Sequence, residues 1–182
     1  MKGIVFTEFA DLVASAFGMD VLDDIIEAAE LPGDGAYTST GTYDHQELVR
    51  LVTELSKAVG TPVNELIHTF GVHLAKRFAE LYPVFFEQAA NLFEFLESVD
   101  STVHVEVKKL YPDAELPRFT TRFAKDGAFE MVYQSDRMFA DLAHGLIEGS
   151  AIQFGTNVTI ERSVDDTGAV TFRIRESMKL AS

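Results

Sequence analysis

Cysteine is absent from this chain of 182 residues, and so is tryptophan. Without cysteine, the protein has neither a disulfide framework nor a thiolate metal site. Long apolar runs are missing too, since no stretch of about 18 apolar residues is available to span a bilayer. Met1-Lys2-Gly3 leads directly into an amphipathic pattern, without the apolar segment of a signal peptide. We therefore expect a cytoplasmic protein that makes no membrane contact.

Positive charge is scarce in this sequence. Its 15 Lys and Arg residues stand against 29 Asp and Glu residues, so the formal net charge is -14. Nucleic acids are bound largely through Lys and Arg that neutralise phosphates, and anionic membrane surfaces attract the same residues. We expect no nucleic-acid partner, and we expect the acidic surface to meet another protein.

Phenylalanine, by contrast, is abundant, with 15 residues in a chain that is 47% hydrophobic. The length fits a single domain covering residues 1–182, with a sizeable core. A phenylalanine-rich interior is compatible with an ordinary core, and equally with an apolar pocket around a flat ligand. Composition does not choose between the two.

Apolar residues recur at helical spacing through the N-terminal half of the chain. The pattern predicts four helices before Pro83, separated by glycine- and proline-containing segments. We expect Asp20 to cap the second helix, and Asp44 with Glu47 to form a capping box on the third. Thr61-Pro62 should begin the fourth helix, with the proline at its first position.

The same spacing resumes after Pro83 and predicts a further helix through Leu96. Valine residues then continue the spacing to Tyr111-Pro112. The pattern gives no sign of a break between Leu96 and Tyr111.

Beyond Pro117 the period of the apolar residues changes from helical to alternating. Two hairpins are predicted, with turns at Lys125-Asp126-Gly127 and Asp165-Asp166-Thr167-Gly168, and a helix over residues 136–149 lies between them. The fold class is therefore α+β: a helical N-terminal lobe is followed by a small antiparallel sheet with an inserted helix. We expect the helical lobe at approximately residues 1–65 and the α+β lobe at 66–182.

Five histidines are candidate metal ligands. His104 lies at the edge of an apolar stripe, where it is either a core histidine or a ligand. His68 and His73 are five positions apart on one helix and do not share a face, so they make a poor metal pair. His144 has no obvious partner in the sequence, and His45 should be exposed. A single neutral imidazole such as His104 is what a haem iron needs.

The segment Tyr133-Gln134-Ser135-Asp136-Arg137 begins 29 residues after His104. One interpretation is a strand end that runs into a helix capped by Ser135. Alternatively, if residues 133–135 stay extended, Tyr133, Ser135 and Arg137 share one side and can grip a dianion. Haem presents an iron together with two propionates. Nothing marks a base for Ser135, and no G-x-S-x-G sequence exists, so serine nucleophile chemistry is not favoured.

Several motifs in order resemble the haem nitric oxide/oxygen-binding (H-NOX) domains, bacterial relatives of the sensor domain of soluble guanylate cyclase. The likeness covers essentially the whole chain. It rests on the Met-Lys-Gly start, GAYTSTGTY at 35–43, VHVEVKKLYP at 103–112, Pro117, YQSDR at 133–137 and GLIEGSA at 145–151.

The resemblance implies a haem held between the two lobes. His104 would be the proximal iron ligand, Tyr133, Ser135 and Arg137 would bind the propionates, and Pro117 would press on the haem. The remaining positions implied to line the pocket are all apolar here: Val5, Phe9, Leu74, Phe78, Leu142 and Leu146. The absence of a Cys-x-x-Cys-His sequence points to non-covalent haem b.

Two departures from the family pattern bear on function. Oxygen-binding members carry a distal tyrosine where this chain has Leu142, and polar residues where it has Phe9 and Leu74. This difference implies a sensor for NO that also binds CO. Some members hold a zinc through C-terminal cysteines, which this chain lacks.

The family implies signalling rather than catalysis. By this resemblance, NO binding would weaken the bond between iron and His104, the lobes would shift, and a separate histidine kinase or cyclic-di-GMP enzyme would read the new surface. An oxygen or redox sensor on the same fold and a haem-free interaction module are the alternatives. A haem peroxidase is disfavoured because the matched pocket positions include neither His nor Arg.

Overall fold

The helices of the N-terminal half follow the predicted pattern closely. In the computed structural model, which describes residues 1–137 and 139–177, they are α1 (Gly3–Phe17), α2 (Met19–Ala28), α3 (His45–Val59) and α4 (Val63–Leu81). The Asp44 side chain accepts a 2.9 Å hydrogen bond from the Gln46 amide and caps α3. Gly60 ends α3 with a left-handed φ of 72°, a conformation that glycine adopts without steric cost.

Three expected helix starts differ in detail. Gly18, rather than Asp20, occupies the N-cap position of α2, which places Asp20 in the first turn. Glu47 does not complete a capping box, because its carboxylate accepts a 2.8 Å hydrogen bond from the Tyr37 hydroxyl instead. Pro62 occupies the N-cap of α4 and not its first helical position, so α4 begins one residue later than predicted.

The continuous helix predicted after Pro83 is wrong, because the chain is broken into four short segments. These are α5 (Pro83–Glu87), α6 (Leu92–Ser98), a π-helical turn (Val99–Val103) and α7 (His104–Leu110). Asn91 causes the first break, since its side chain accepts a 3.0 Å hydrogen bond from the Glu94 amide and starts a new helix.

The C-terminal part contains the two predicted hairpins. Strands β1 (Arg118–Phe123) and β2 (Phe129–Gln134) form one, and β3 (Val158–Val164) and β4 (Val170–Glu176) form the other. All pairs are antiparallel, in the order β1-β2-β4-β3. The inserted helix, α8 (Ala140–Gln153), begins four residues later than predicted, and Met138 lies outside the described residues. The α+β fold class is confirmed.

Two apolar clusters fill the interior, and α8 contributes to both. Leu142 packs with side chains from α1 to α4, whereas Ala143 and Ile147 pack with α6 and the sheet. The lobe boundary near residue 65 stays a prediction. None of the described helices has both the length and the apolar composition that crossing a bilayer requires.

Candidate functional site

His104 is the first residue of α7 and is largely buried, with 17% of its side chain exposed. Its Nδ1 lies 3.6 Å from Asp100 Oδ1, which is too long for a hydrogen bond. Asp100 instead accepts a 3.1 Å hydrogen bond from the Phe119 amide. The buried Nδ1 therefore has no hydrogen-bond partner within residues 1–137 and 139–177.

The charge state of His104 follows from this environment. Burial lowers the pKa of the imidazole below its usual value. The Asp100 carboxylate and, more weakly, the backbone of Pro117 act in the opposite direction without outweighing burial. A buried, neutral imidazole with an unsatisfied ring atom fits the role of a ligand to an iron-bearing group.

A π-helical turn places this imidazole. The His104 amide bonds to the carbonyl of Val99, five residues earlier, before the α-helix resumes. Such single turns inside helices are frequent at functional sites. Val99 and Val103 are four residues apart, a spacing that is also typical of one face of a regular α-helix. The sequence pattern therefore does not indicate the π-helical turn. Asp100, four residues before His104, could have been found from helical spacing.

Tyr133, Ser135 and Arg137 lie together, although not in the arrangement expected. Strand β2 ends at Gln134, so the three side chains do not alternate along an extended segment. Instead, the Tyr133 hydroxyl donates a 2.9 Å hydrogen bond to the Arg137 carbonyl, and the Arg137 amide donates a 3.1 Å bond to Ser135 Oγ. Ser135 does not cap α8, whose N-cap residue is Phe139. The three residues form a compact turn that fixes the backbone of Arg137.

The Arg137 guanidinium, which is 16% exposed, already has an anionic partner. It forms an ion pair with the Glu115 carboxylate and donates a 3.3 Å hydrogen bond to the Glu115 carbonyl. The Glu115 side chain is 79% exposed and can move away into solvent. Nothing in the sequence pattern singled out Glu115, since it lies in the loop between α7 and β1.

A cavity of about 290 Å³ adjoins Arg137. The charged N-terminus of Met1 donates a 2.7 Å hydrogen bond to the Tyr43 carbonyl at this cavity. His45, expected to be exposed, is partly buried at its edge. The full lining is Met1, Lys2, Thr42, Tyr43, Asp44, His45, Asp113, Ala114, Glu115 and Arg137.

Phe119 connects the histidine to the turn. Its ring centroid lies 5.8 Å from that of His104 and 5.7 Å from that of Tyr133. Pro117, which is partly buried, immediately precedes β1, the strand that carries Phe119. The structure thus groups His104, Pro117 and the Tyr133–Arg137 turn around one strand.

The six apolar positions form a separate group on α1, α4 and α8. Phe9, Leu74 and Leu142 are buried in the first apolar cluster, and Val5, Phe78 and Leu146 are partly buried against it. The side chains of these six residues carry no hydrogen-bonding group. A ligand in contact with them would meet an apolar surface.

Comparison with known proteins identifies the family. A sequence model described as Haem-NO-binding matches residues 2–162. The H-NOX protein from K. algicida, in its Fe(II) unliganded form, is 34% identical, with a TM-score of 0.91 and all of both chains covered. The H-NOX from Shewanella woodyi, bound to IWP-051 in the Fe(II)CO state, is 41% identical with a TM-score of 0.86; the match covers 100% of this chain and 97% of that one.

A third structure, a mutant of the H-NOX from T. tengcongensis, is 28% identical with a TM-score of 0.85 and full coverage of both chains. The family match spans most of the sequence, and the solved structures share the whole fold. The chain therefore belongs to the Haem-NO-binding family, the haem-binding, gas-sensing H-NOX domains.

Proposed function

We propose that this chain is a cytoplasmic NO sensor that holds one non-covalent haem b through His104. The main support is the buried imidazole of His104, which has a lowered pKa and an unpartnered Nδ1. The absence of cysteine excludes thioether attachment of the haem. When bound, haem supplies an iron that takes a diatomic gas on the side away from its histidine ligand.

The proposed propionate site is the turn formed by Tyr133, Ser135 and Arg137. Arg137 is the one permanent cation of the three, and its planar fork of donors matches a carboxylate. The ion pair with Glu115 supports this assignment, because the guanidinium already has a carboxylate as its partner. A propionate would take the place that the Glu115 carboxylate holds.

We expect Arg137→Ala to weaken haem binding more than either Ser135→Ala or Tyr133→Phe. A charge-assisted hydrogen bond contributes about 1.5–3 kcal/mol, against about 1 kcal/mol for a neutral hydroxyl. The corresponding losses are about 10- to 150-fold for Arg137 and about fivefold for each hydroxyl. The measurement is the rate of haem transfer to an excess of an acceptor apoprotein. A larger loss in either hydroxyl variant would reverse this ranking.

Glu115→Gln should have the opposite effect and strengthen haem binding. The variant removes the carboxylate that competes for Arg137. Because Glu115 is exposed, its ion pair with Arg137 contributes at most about 1 kcal/mol, so haem affinity should rise by at most about fivefold. The same haem-transfer assay checks it. Glu106→Gln is the matched control, since Glu106 pairs with Lys109 instead. Unchanged or weaker binding in Glu115→Gln would contradict the displacement of Glu115 by a propionate.

Preference for NO over O2 is proposed from the six apolar positions. Phe9, Leu74 and Leu142 offer no donor to a bound gas. Among the nearby polar side chains, Glu8 accepts a 2.7 Å hydrogen bond from Arg77 Nε. The His73 Nε2 atom lies 3.8 Å from the same carboxylate, which is too far for a hydrogen bond, and it has no hydrogen-bond partner within the described residues. An oxygen sensor on the same fold would need a donor at the bound gas.

We further propose that the chain has no catalytic activity of its own and signals to a histidine kinase or a cyclic-di-GMP enzyme. H-NOX domains are sensors, and the acidic surface suits a protein partner. Co-purification from cells, with and without NO, would identify that partner.

The absorption spectrum of the purified protein, taken before and after reduction and addition of NO, tests the proposed function. A haem band that shifts with NO is expected. A protein without a haem band, after expression with adequate haem, would favour a haem-free interaction module. Peroxide turnover by the haem-loaded protein would instead indicate an enzyme.

A further inference from the structure

Three side chains that are able to ligate a metal lie together at the contact between α4 and α8. All three are distant from His104 in the sequence. His68 Nε2 on α4 lies 3.0 Å from Glu148 Oε2 on α8. The His68 and His144 ring centroids are 4.8 Å apart, with the ring planes at 76°. One ligand atom from each of the three residues lies within 4.8 Å of the other two. The partner of His144 that the sequence did not reveal is therefore His68.

The two helices that carry these side chains are held against each other by glycines. A Cβ atom on Gly145 would lie 2.1 Å from the His68 carbonyl oxygen, and one on Gly71 would lie 2.5 Å from the Leu142 carbonyl. On Gly149, a Cβ would lie 2.7 Å from the Val72 carbonyl. The helix backbones are thus in direct contact. Sites carried on rigid helices are positioned more accurately than sites on loops.

The two candidate ligands on α8 lie on the same face of the helix. His144 and Glu148 are four residues apart, so they project from the same side of the helix. His68 faces them from α4, where His73, five residues further on, turns away toward Glu8. All three ligand residues are partly exposed, so an ion can enter from solvent.

The charged side chains around these three residues do not disfavour the binding of a cation. Arg162 and Asp141 both lie close enough to act on His144, and they pair with each other. The chain as a whole carries a net charge of -14. Glu148 brings one further negative charge to the cluster.

We propose that His68, His144 and Glu148 form a binding site for Zn²⁺ that ties α4 to α8. Two imidazoles and one carboxylate are a set that zinc accepts, with water in the fourth position. Ligand atoms around a tetrahedral zinc are about 3.3 Å apart, given bonds of about 2.0–2.1 Å. The present atoms lie within 4.8 Å of one another, so the largest separation has to shorten by about 1.5 Å when the metal binds. This site uses no residue of the proposed haem site and needs no cysteine.

The test is equilibrium dialysis of the haem-loaded protein against ZnCl₂, with bound zinc measured by elemental analysis, which separates it from haem iron. We expect one zinc per chain. His68→Gln and His144→Gln should each weaken binding about tenfold or more, by comparison with the 10- to 100-fold cost of losing a supporting residue. His45→Gln is the matched control, since it removes an imidazole elsewhere and should leave zinc affinity unchanged.

A second measurement covers the case in which a variant folds poorly. Zinc at about 100-fold excess over its Kd should raise the melting temperature of the unaltered protein by several degrees, because it binds only the folded chain. The increase should fall by about half or more in His144→Gln, because a site that is at least tenfold weaker is at most about 10-fold above its Kd at the same zinc concentration. Equal zinc binding in the double variant His68→Gln/His144→Gln, or no bound zinc in the unaltered protein at about 100 μM metal, would overturn the proposal. Haem content, recorded in parallel, reports separately on the His104 site.

Discussion

Replacing His104 by glycine should give a folded protein that loses its haem, or takes it up only when imidazole is added. The variant removes the proposed iron ligand and leaves a space that free imidazole can enter. The stability cost comes from the space left by a largely buried ring and from glycine in a helix, since the His104 Nδ1 has no hydrogen bond to lose within the described residues. Glycine in a helix costs about 1 kcal/mol. The measurement is the ratio of haem to protein absorbance, with circular dichroism as the check on folding.

Val105→Gly is the matched control for this experiment. Val105 is the next residue of α7 and is exposed, so its replacement carries the same helix cost without removing an imidazole. Haem content should be normal in Val105→Gly and low in His104→Gly. A normal haem spectrum in His104→Gly, recorded without imidazole, would refute the assignment of His104.

The sequence was sufficient for the local parts of the fold and insufficient where local signals compete. Lys125-Asp126-Gly127 marked its hairpin because a turn of this kind is specified by neighbouring residues. The break at Asn91 was missed because its capping hydrogen bond interrupts a series of apolar residues that otherwise continues at helical spacing. The pairing of β2 with β4 joins the two hairpins across α8, so it depends on long-range packing.

The candidate site divides in the same way. His104 and the Tyr133–Arg137 segment could be predicted because their chemistry is visible in the residue types. Their geometry could not, since a π-helical turn and a compact turn replace the regular helix and extended strand expected. Glu115 has no pattern that reveals it. The contact of His68 with His144 depends on the close approach of Gly71 to Gly145, which only the folded chain brings about.

The reduced, haem-loaded protein should bind NO and CO in air but form no stable complex with O2. Bound O2 carries partial negative charge and is held best when a nearby donor bonds to it, whereas NO binds ferrous haem tightly without that help. Lack of a donor worth about 1–3 kcal/mol weakens O2 binding by about one to two decades. The six apolar positions supply no such donor. The measurement is the absorption spectrum of the reduced protein after it is opened to air.

Two substitutions at Leu142, by Tyr and by Phe, separate the effect of an added hydroxyl group from the effect of a larger side chain. Leu142 is buried, with 8% of its surface exposed, so both Tyr and Phe enlarge a packed position to nearly the same extent. Leu142→Tyr adds a donor and should move the spectrum in air toward that of an oxygen complex, whereas Leu142→Phe should not. The unaltered protein decides the main question. If its spectrum in air is that of a stable oxygen complex, the preference for NO is refuted, and an oxygen sensor becomes the better description of this chain.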